Sequence, residues 1–226
     1  THQPLSFSVS ETTEGVHIHI IDAELMGKGE KEKKDLYIEG IQNNGIINHY
    51  EYIINSEGTI EIRHVLKPEG KMPLWFPRIG LTLTVSDALD QVKWYGRGPQ
   101  ENYPDRKTGY PTGIYASTVQ AMYEPYLMPQ DYGLRTDVRW LQLTTDKGIG
   151  LQFKMNEWFN FNIYPYSTDN LTKAMYTYQL QKQKGMTLNL DYATTGVGCT
   201  ARGVFGAYKA MPQEYRRTIS IRPMMK

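Results

Sequence analysis

Five carboxylates stand among irregular, polar stretches of the chain where a reacting group could be presented: Glu101, Asp105, Glu124, Asp131 and Asp137. An unpaired carboxylate can act as general acid, general base or nucleophile. Four arginines, Arg97, Arg106, Arg135 and Arg139, share the same stretches, and an arginine partner turns a carboxylate into a structural ion pair instead. With 24 acidic residues in the chain, carboxylate pairs arise by chance, and no local context singles one out. The expectation is therefore ion pairs and no catalytic residue.

Two further groups could do chemistry. His17 and His19 alternate with Ile18 and Ile20, so both imidazoles lie on one face of a strand. Together they could share a metal, but the neighbouring sequence offers no third ligand, and a polar solvent face is the expectation, with no metal site. Cys199 is the only cysteine. Nucleophilic work would need a histidine and a depressed thiol pKa, and a small residue packed in a glycine-rich turn is the expected role.

The stretch that must position most of these side chains is Val92–Arg106, VKWYGRGPQENYPDR. Val92 and Trp94 alternate with Lys93 as on a half-buried strand. Gly96, Gly98 and Pro99 are expected to stop that strand, and Glu101, Tyr103, Asp105 and Arg106 follow in a polar loop. Glycine admits backbone shapes that a side chain forbids, and proline removes a ladder donor.

Alternation predicts strands over Ser6–Ser10, Val16–Ile21, Asp35–Ile41, Ile46–Ile54 and Thr59–Leu66, with turns at Asn43-Asn44-Gly45 and Ser56-Glu57-Gly58. The run GKGEKEKKD over Gly27–Asp35 reads as a solvated loop. A long apolar strand is predicted over Pro73–Val85, and a hairpin over Val138–Thr144 and Ile149–Met155, turning at Asp146-Lys147-Gly148. Further strands are predicted over Phe159–Ile163, Gly185–Tyr192 and Glu214–Arg222. Ser167–Met175 is the one helix, capped by Ser167 or Asp169, with Leu171 and Met175 one turn apart. Asp105–Asp137 lacks periodicity, and so long an irregular segment is usually functional or packed against a partner. The result is an all-β antiparallel sandwich in a single domain over residues 1–226.

Composition bounds the partners. A net charge of +1 gives no electrostatic case for nucleic acid or an anionic membrane. No apolar run approaches the roughly 20 residues of a membrane helix. The chain opens on Thr1 rather than Met, as expected of a processed or excised piece. Its 17 Tyr and 4 Trp suit carbohydrate-facing surfaces, for which Trp94, Trp140, Trp158 and Tyr166 are candidates, with burial in the core as the alternative for each.

WYGRGPQENYPDR resembles a signature loop of the C-terminal β-sandwich domain of glycoside hydrolase family 2 β-galactosidases, the large multidomain enzymes. The likeness extends through Pro77-Arg78-Ile79-Gly80-Leu81, Tyr126-Leu127-Met128-Pro129-Gln130-Asp131-Tyr132-Gly133, Arg135-Thr136-Asp137-Val138-Arg139-Trp140, Phe161-Asn162, Pro165-Tyr166-Ser167 and Leu188-Asn189-Leu190-Asp191-Tyr192, in order over about residues 73–198. The resemblance implies a galactose-mutarotase-like supersandwich. It also implies that the domain's aspartate-rich opening is missing, because nothing in Thr1–Arg63 matches it. Retaining hydrolysis needs two carboxylates about 5–5.5 Å apart, and in this family both lie in a separate β/α barrel. No cofactor is then expected in this domain, while magnesium and sodium belong to the parent enzyme. The implied partners are the barrel and other domains of that enzyme and a galactoside at the active-site rim. Uncovered surfaces imply self-association.

Aldose mutarotases share the implied fold and use a histidine acid with a glutamate base. All five histidines here precede residue 65, and Tyr176 stands where a histidine is common, so mutarotase activity is not expected. The turn over Gly196–Phe205, GVGCTARGVF, resembles a G-V-G-G-D-D-S-W turn whose tryptophan lines the sugar rim. Cys199 takes the third glycine and Gly203 the tryptophan position, which makes Cys199, Thr200, Arg202 and Gly203 the rim candidates. The alternative to a β-galactosidase domain is a free-standing carbohydrate-binding module of the same fold.

Overall fold

The computed structural model describes residues 2–25, 45–199 and 203–225. The charge run over 27–35, the predicted strand over 35–41, Asn43-Asn44, Thr200 and Arg202 lie outside the described residues. Among the described residues there are eleven strands and one short α-helix, and every assigned strand pair is antiparallel, as the alternation predicts. Contacts divide the chain into two compact units, Thr1–Phe76 with Met211–Arg222, and Pro77–Ala210 with Pro223–Lys226. No linker marks any of the three crossing points in the sequence.

The first unit is a meander of β1 (His2–Thr12), β2 (Gly15–Leu25), β3 (Gly45–Ile54) and β4 (Ile60–Glu69), with β11 (Tyr215–Met224) beside β4. Its register lines up an apolar and a polar row across the sheet. Val9, Ile18, Tyr52, Ile62 and Ile219 stand opposite one another across the sheet, and Ile62 and Ile219 are buried. Ser8, His19, Glu51, Arg63 and Thr218 form the corresponding row on the other face, because side chains alternate sides along each strand.

The second unit contains β5 (Arg78–Val85), β6 (Gln91–Arg97), β7 (Thr112–Thr118), β8 (Arg135–Thr144), β9 (Gly150–Tyr164) and β10 (Met186–Thr194), in the order β5-β10-β9-β8-β6-β7. Its core centres on Trp94, Phe153, Phe159, Phe161, Leu141 and Leu188. Trp94 meets Phe161 edge-on at 5.9 Å, a favoured aromatic geometry.

Four sequence readings need revision. The predicted strand over Pro73–Val85 begins only at Arg78. The two strands read over Ile149–Met155 and Phe159–Ile163 are one continuous strand, β9. β7 lies inside the stretch read as irregular, where Thr112, Gly113 and Ala116 dilute the apolar pattern. β6 ends before Gly98 and Pro99 as read, but Gly96 lies inside it, because the strand runs to Arg97. Gly96 and Gly98 serve close packing there rather than unusual dihedrals: a Cβ on Gly98 would lie 2.8 Å from the Tyr115 ring and 3.0 Å from Trp94.

The helix α1 (Thr168–Lys173) is capped as read, by Ser167, whose Oγ accepts from Asn170 N at 3.1 Å. Leu171 is buried, whereas Met175 lies past the helix and is exposed.

Candidate functional site

The polar loop after β6 is built around one buried carboxylate. Glu101 Oε1 accepts from Arg106 Nη2 at 2.7 Å and from the Tyr126 hydroxyl, and Oε2 accepts from Gly133 N at 2.9 Å and Tyr103 Oη at 3.2 Å. Burial alone would raise its pKa, but the hydrogen bonds from Tyr126, Gly133 and Arg106 hold it below the usual carboxylate range. Four donors hold the carboxylate in place and make it the anchor of the loop. Tyr103 is pushed well above the ordinary phenol value by burial and by the Glu101 charge, which keeps it a neutral donor.

Asn102 fixes the same loop from the other side. Its backbone N–H donates to Leu134 O at 2.8 Å, and its Oδ1 accepts from Thr136 N at 3.1 Å and Thr136 Oγ1 at 2.5 Å. Arg135 donates to Pro99 O at 2.9 Å and Gly133 O at 2.8 Å, and its guanidinium lies 5.4 Å from the Trp94 ring centroid. The register of β8 shifts beside Asp137, whose φ is 55°. Such a bulge re-aims a side chain, and Asp137 here takes both Arg97 at 2.6 Å and Lys107 at 2.5 Å.

Asp105 joins this loop to the turn that carries the rim candidates. Its two carboxylate oxygens accept from Val197 N at 3.0 Å and Gly198 N at 2.7 Å. A Cβ on Gly196 would lie 2.3 Å from the Asp105 carboxyl carbon, so glycine is required for the carboxylate to seat. Of the rim candidates, Cys199 and Gly203 are exposed. The thiol is therefore not packed into the turn, and nothing lies within 4 Å of a Cβ built on Gly203.

Residues 8–221 match the family described as beta galactosidase small chain. This chain belongs to that family. Among its relatives it is 38% identical to the β-galactosidase of Priestia megaterium over 147 residues, covering 65% of this chain and 14% of that enzyme. It is 39% identical to the β-galactosidase of Vibrio cholerae over 122 residues, covering 54% and 11%. A crystal structure of the GalM/aldose epimerase homologue from C. elegans aligns at a TM-score of 0.45 and 12% identity, covering 96% of this chain and 68% of that one. The chain thus spans about one seventh of the curated relative from Priestia megaterium.

In this small-chain domain Asp131 takes a partner outside the four arginines the sequence offered. Asp131 pairs with Arg78 at 3.3 Å, not with Arg135 or Arg139. Arg78 also pairs with Asp191 at 3.0 Å and donates to Asn162 Oδ1 at 3.2 Å. Two carboxylates share one guanidinium, and the more buried one bears the cost: burial outweighs Arg78 and pushes Asp191 up to about 6. Burial would lower Arg78, but Asp191 and Asp131 hold it above the ordinary arginine value. Sequence reasoning treated Asp191 only as part of a core strand. The available signal was an acid inside a run, Met186–Tyr192, that is buried throughout, since buried charges are paired. Glu124 is raised by burial and then by Glu101.

The aromatic candidates separate cleanly. Trp94 is core, with Nε1 donating to Arg97 O at 3.0 Å. Trp158 is 60% exposed, and Arg139 lies 4.0 Å from its ring centroid. Trp140 and Tyr166 are partly buried. Tyr166 lines a cleft of about 620 Å³ with Tyr123, Tyr132, Asp87, Asp90 and Lys182.

Proposed function

We propose that this chain is a non-catalytic domain of a β-galactosidase that hydrolyses terminal β-D-galactosides with retention. The double displacement would run on carboxylates of a catalytic barrel outside this chain, which would also hold the parent's magnesium and sodium. The domain packs on that barrel and shapes the rim around the leaving-group sugar. Membership of the small-chain family supports the parent activity, and alignment with only 14% of the Priestia enzyme leaves ample length for a separate catalytic domain in such a protein. The single observation that carries the assignment is the clasp between Asp105 and the Val197–Gly198 amides, which ties the signature loop to the rim turn. Glu101 meanwhile is spent on four donors.

The rim reading is tested at Gly203, which has open space around its Cβ position. A tryptophan face offers sugar C–H groups an apolar platform that Gly203 does not. In the full-length enzyme, Gly203→Trp should lower the KM for lactose and raise transglycosylation to glucose. An unchanged value for both would remove this turn from the sugar rim.

One observation favours a second reading, a sugar-binding module. In the cleft beside Tyr166 the Tyr132 hydroxyl is buried without a hydrogen-bond partner, and tyrosine faces beside carboxylates are what sugar sites use. Calorimetric titration with galactose and lactose, repeated on Tyr166→Ala, decides it: binding lost in the variant supports a module, and no heat with either sugar removes it.

A further inference from the structure

The polar face of the first unit brings together three groups that the sequence leaves apart. His17 and His19 project from the same side of β2, and the register sets Glu51 of β3 opposite His19. Glu51 Oε1 lies 3.5 Å from His17 Nδ1 and 3.9 Å from His19 Nε2, and donor atoms of all three residues lie within 4.8 Å of one another. Glu51 is thus the third donor that the sequence around the histidines does not offer.

These distances are at or beyond the limit of ordinary hydrogen bonds. They are close to the spacing of ligands around a cation: zinc bonds of about 2.0–2.1 Å at tetrahedral angles set neighbouring ligand atoms roughly 3.3 Å apart. The carboxylate is already oriented, because its other oxygen, Oε2, accepts from Arg63 Nη1 at 3.1 Å. Glu61 takes Arg63 Nε at 2.8 Å and offsets that positive charge. Ser8 and Ser10 stand opposite His19 and His17 on β1 and add no cation to the face.

A second, independent observation concerns the far side of the His17 ring. The His17 side chain is only 12% exposed, and its Nε2 is buried with no hydrogen-bond partner. The Glu14 carboxylate waits 4.0 Å away. An imidazole bound to metal through one nitrogen presents N–H at the other, and a carboxylate is its usual acceptor.

We propose that His17, His19 and Glu51 form a three-ligand site for a divalent transition-metal ion, with zinc the fitting probe, a water in the fourth position and Glu14 orienting His17. Two imidazoles and a carboxylate select zinc-like ions over magnesium or calcium. The site clips β2 to β3. It departs from the expectation of no cofactor in this domain and does not depend on the proposed β-galactosidase role.

The test uses the full-length protein stripped with a chelator. Zinc is titrated against a chromophoric competitor, and cobalt(II) is added in parallel as a spectroscopic substitute. His19→Ala removes an exposed ring, and Glu51→Gln keeps shape while removing charge; circular dichroism confirms that each is folded. The wild type should take up one more equivalent of zinc than His19→Ala. The wild-type-minus-variant cobalt spectrum should show the intense visible bands of four-coordinate geometry. Zinc should raise the melting temperature of the wild type only, and Glu14→Gln should weaken zinc by roughly 10-fold. Equal stoichiometry and superimposable cobalt spectra in the wild type and His19→Ala would overturn the site, and that comparison stands even where Glu51→Gln fails to fold.

Discussion

Glu101 is a carboxylate with every strong acceptor position used, and that predicts an asymmetry at its ion pair. Arg106 is half-exposed, and removing it leaves Glu101 with Tyr103, Tyr126 and the Gly133 amide. Arg106→Ala should therefore cost only about 1 kcal/mol, the scale of one net hydrogen bond. Glu101→Ala orphans several buried donors at once and should cost at least twice as much. Denaturant midpoints measure both, and equal losses would contradict the anchor role. Two buried groups contribute to the pH dependence of stability with opposite signs. His64 is lowered to about 4 by burial, so the unfolded chain binds its proton more readily, and its stability contribution is lost as pH falls from about 6.5 to 4. Asp191 is raised to about 6, so the folded chain holds its proton more readily, and stability falls as pH rises from about 4 to 6. Asp191→Asn should remove that fall, so between about pH 4 and 6 stability should climb more steeply with pH than in the wild type. The same profile in variant and wild type would show that Asp191 does not titrate as described.

At the scale of elements, the clasp between loop and turn is the feature with the clearest consequence. Asp105→Ala leaves the Val197 and Gly198 amides without their acceptor, so hydrogen exchange across the Gly196–Phe205 turn should accelerate while β9 and β10 stay protected. Gly196→Ala should do the same through its clash with the carboxylate. Unchanged exchange in both would mean that the turn is held by something else. The strands themselves were largely legible, because alternating residues such as those of Val92–Tyr95 or Ile62–Leu66 must place one set inward. β7 was not, since its Gly113 and Ala116 carry little hydrophobic contrast, and the fusion of two predicted strands into β9 was hidden by polar Asn156 and Glu157 midway. The signature loop stood out through its glycines, proline and charges. Its partner did not: Asp105 and Val197 are 92 positions apart, and Arg78 and Asp191 are 113 apart. A side-chain contact over that separation leaves no local pattern, so sequence reasoning found the acids and the arginines of Glu101 and Asp137, but neither Arg78 as the partner of Asp131 nor the backbone amides that hold Asp105.

For the molecule as a whole, the first unit ends on a strand whose apolar residues lie bare. All of β1 is exposed, including Leu5, Phe7 and Val9, with Phe7 at 67%. An exposed apolar edge strand invites pairing with another chain, and in a β-galactosidase the rest of the enzyme would supply that cover. The isolated chain should accordingly self-associate, and Phe7→Lys with Val9→Lys should shift light scattering to the monomer mass; a wild type that is already monomeric at high concentration would contradict this. The central claim is that this small-chain domain serves a β-galactosidase without carrying its catalysis. The most direct measurement is hydrolysis of a chromogenic β-galactoside by the full-length protein and by the folded 226-residue chain, side by side. The account predicts turnover by the full-length protein and background rates from the chain alone. Turnover by the chain alone, abolished by Glu101→Gln or Glu124→Gln, would contradict it.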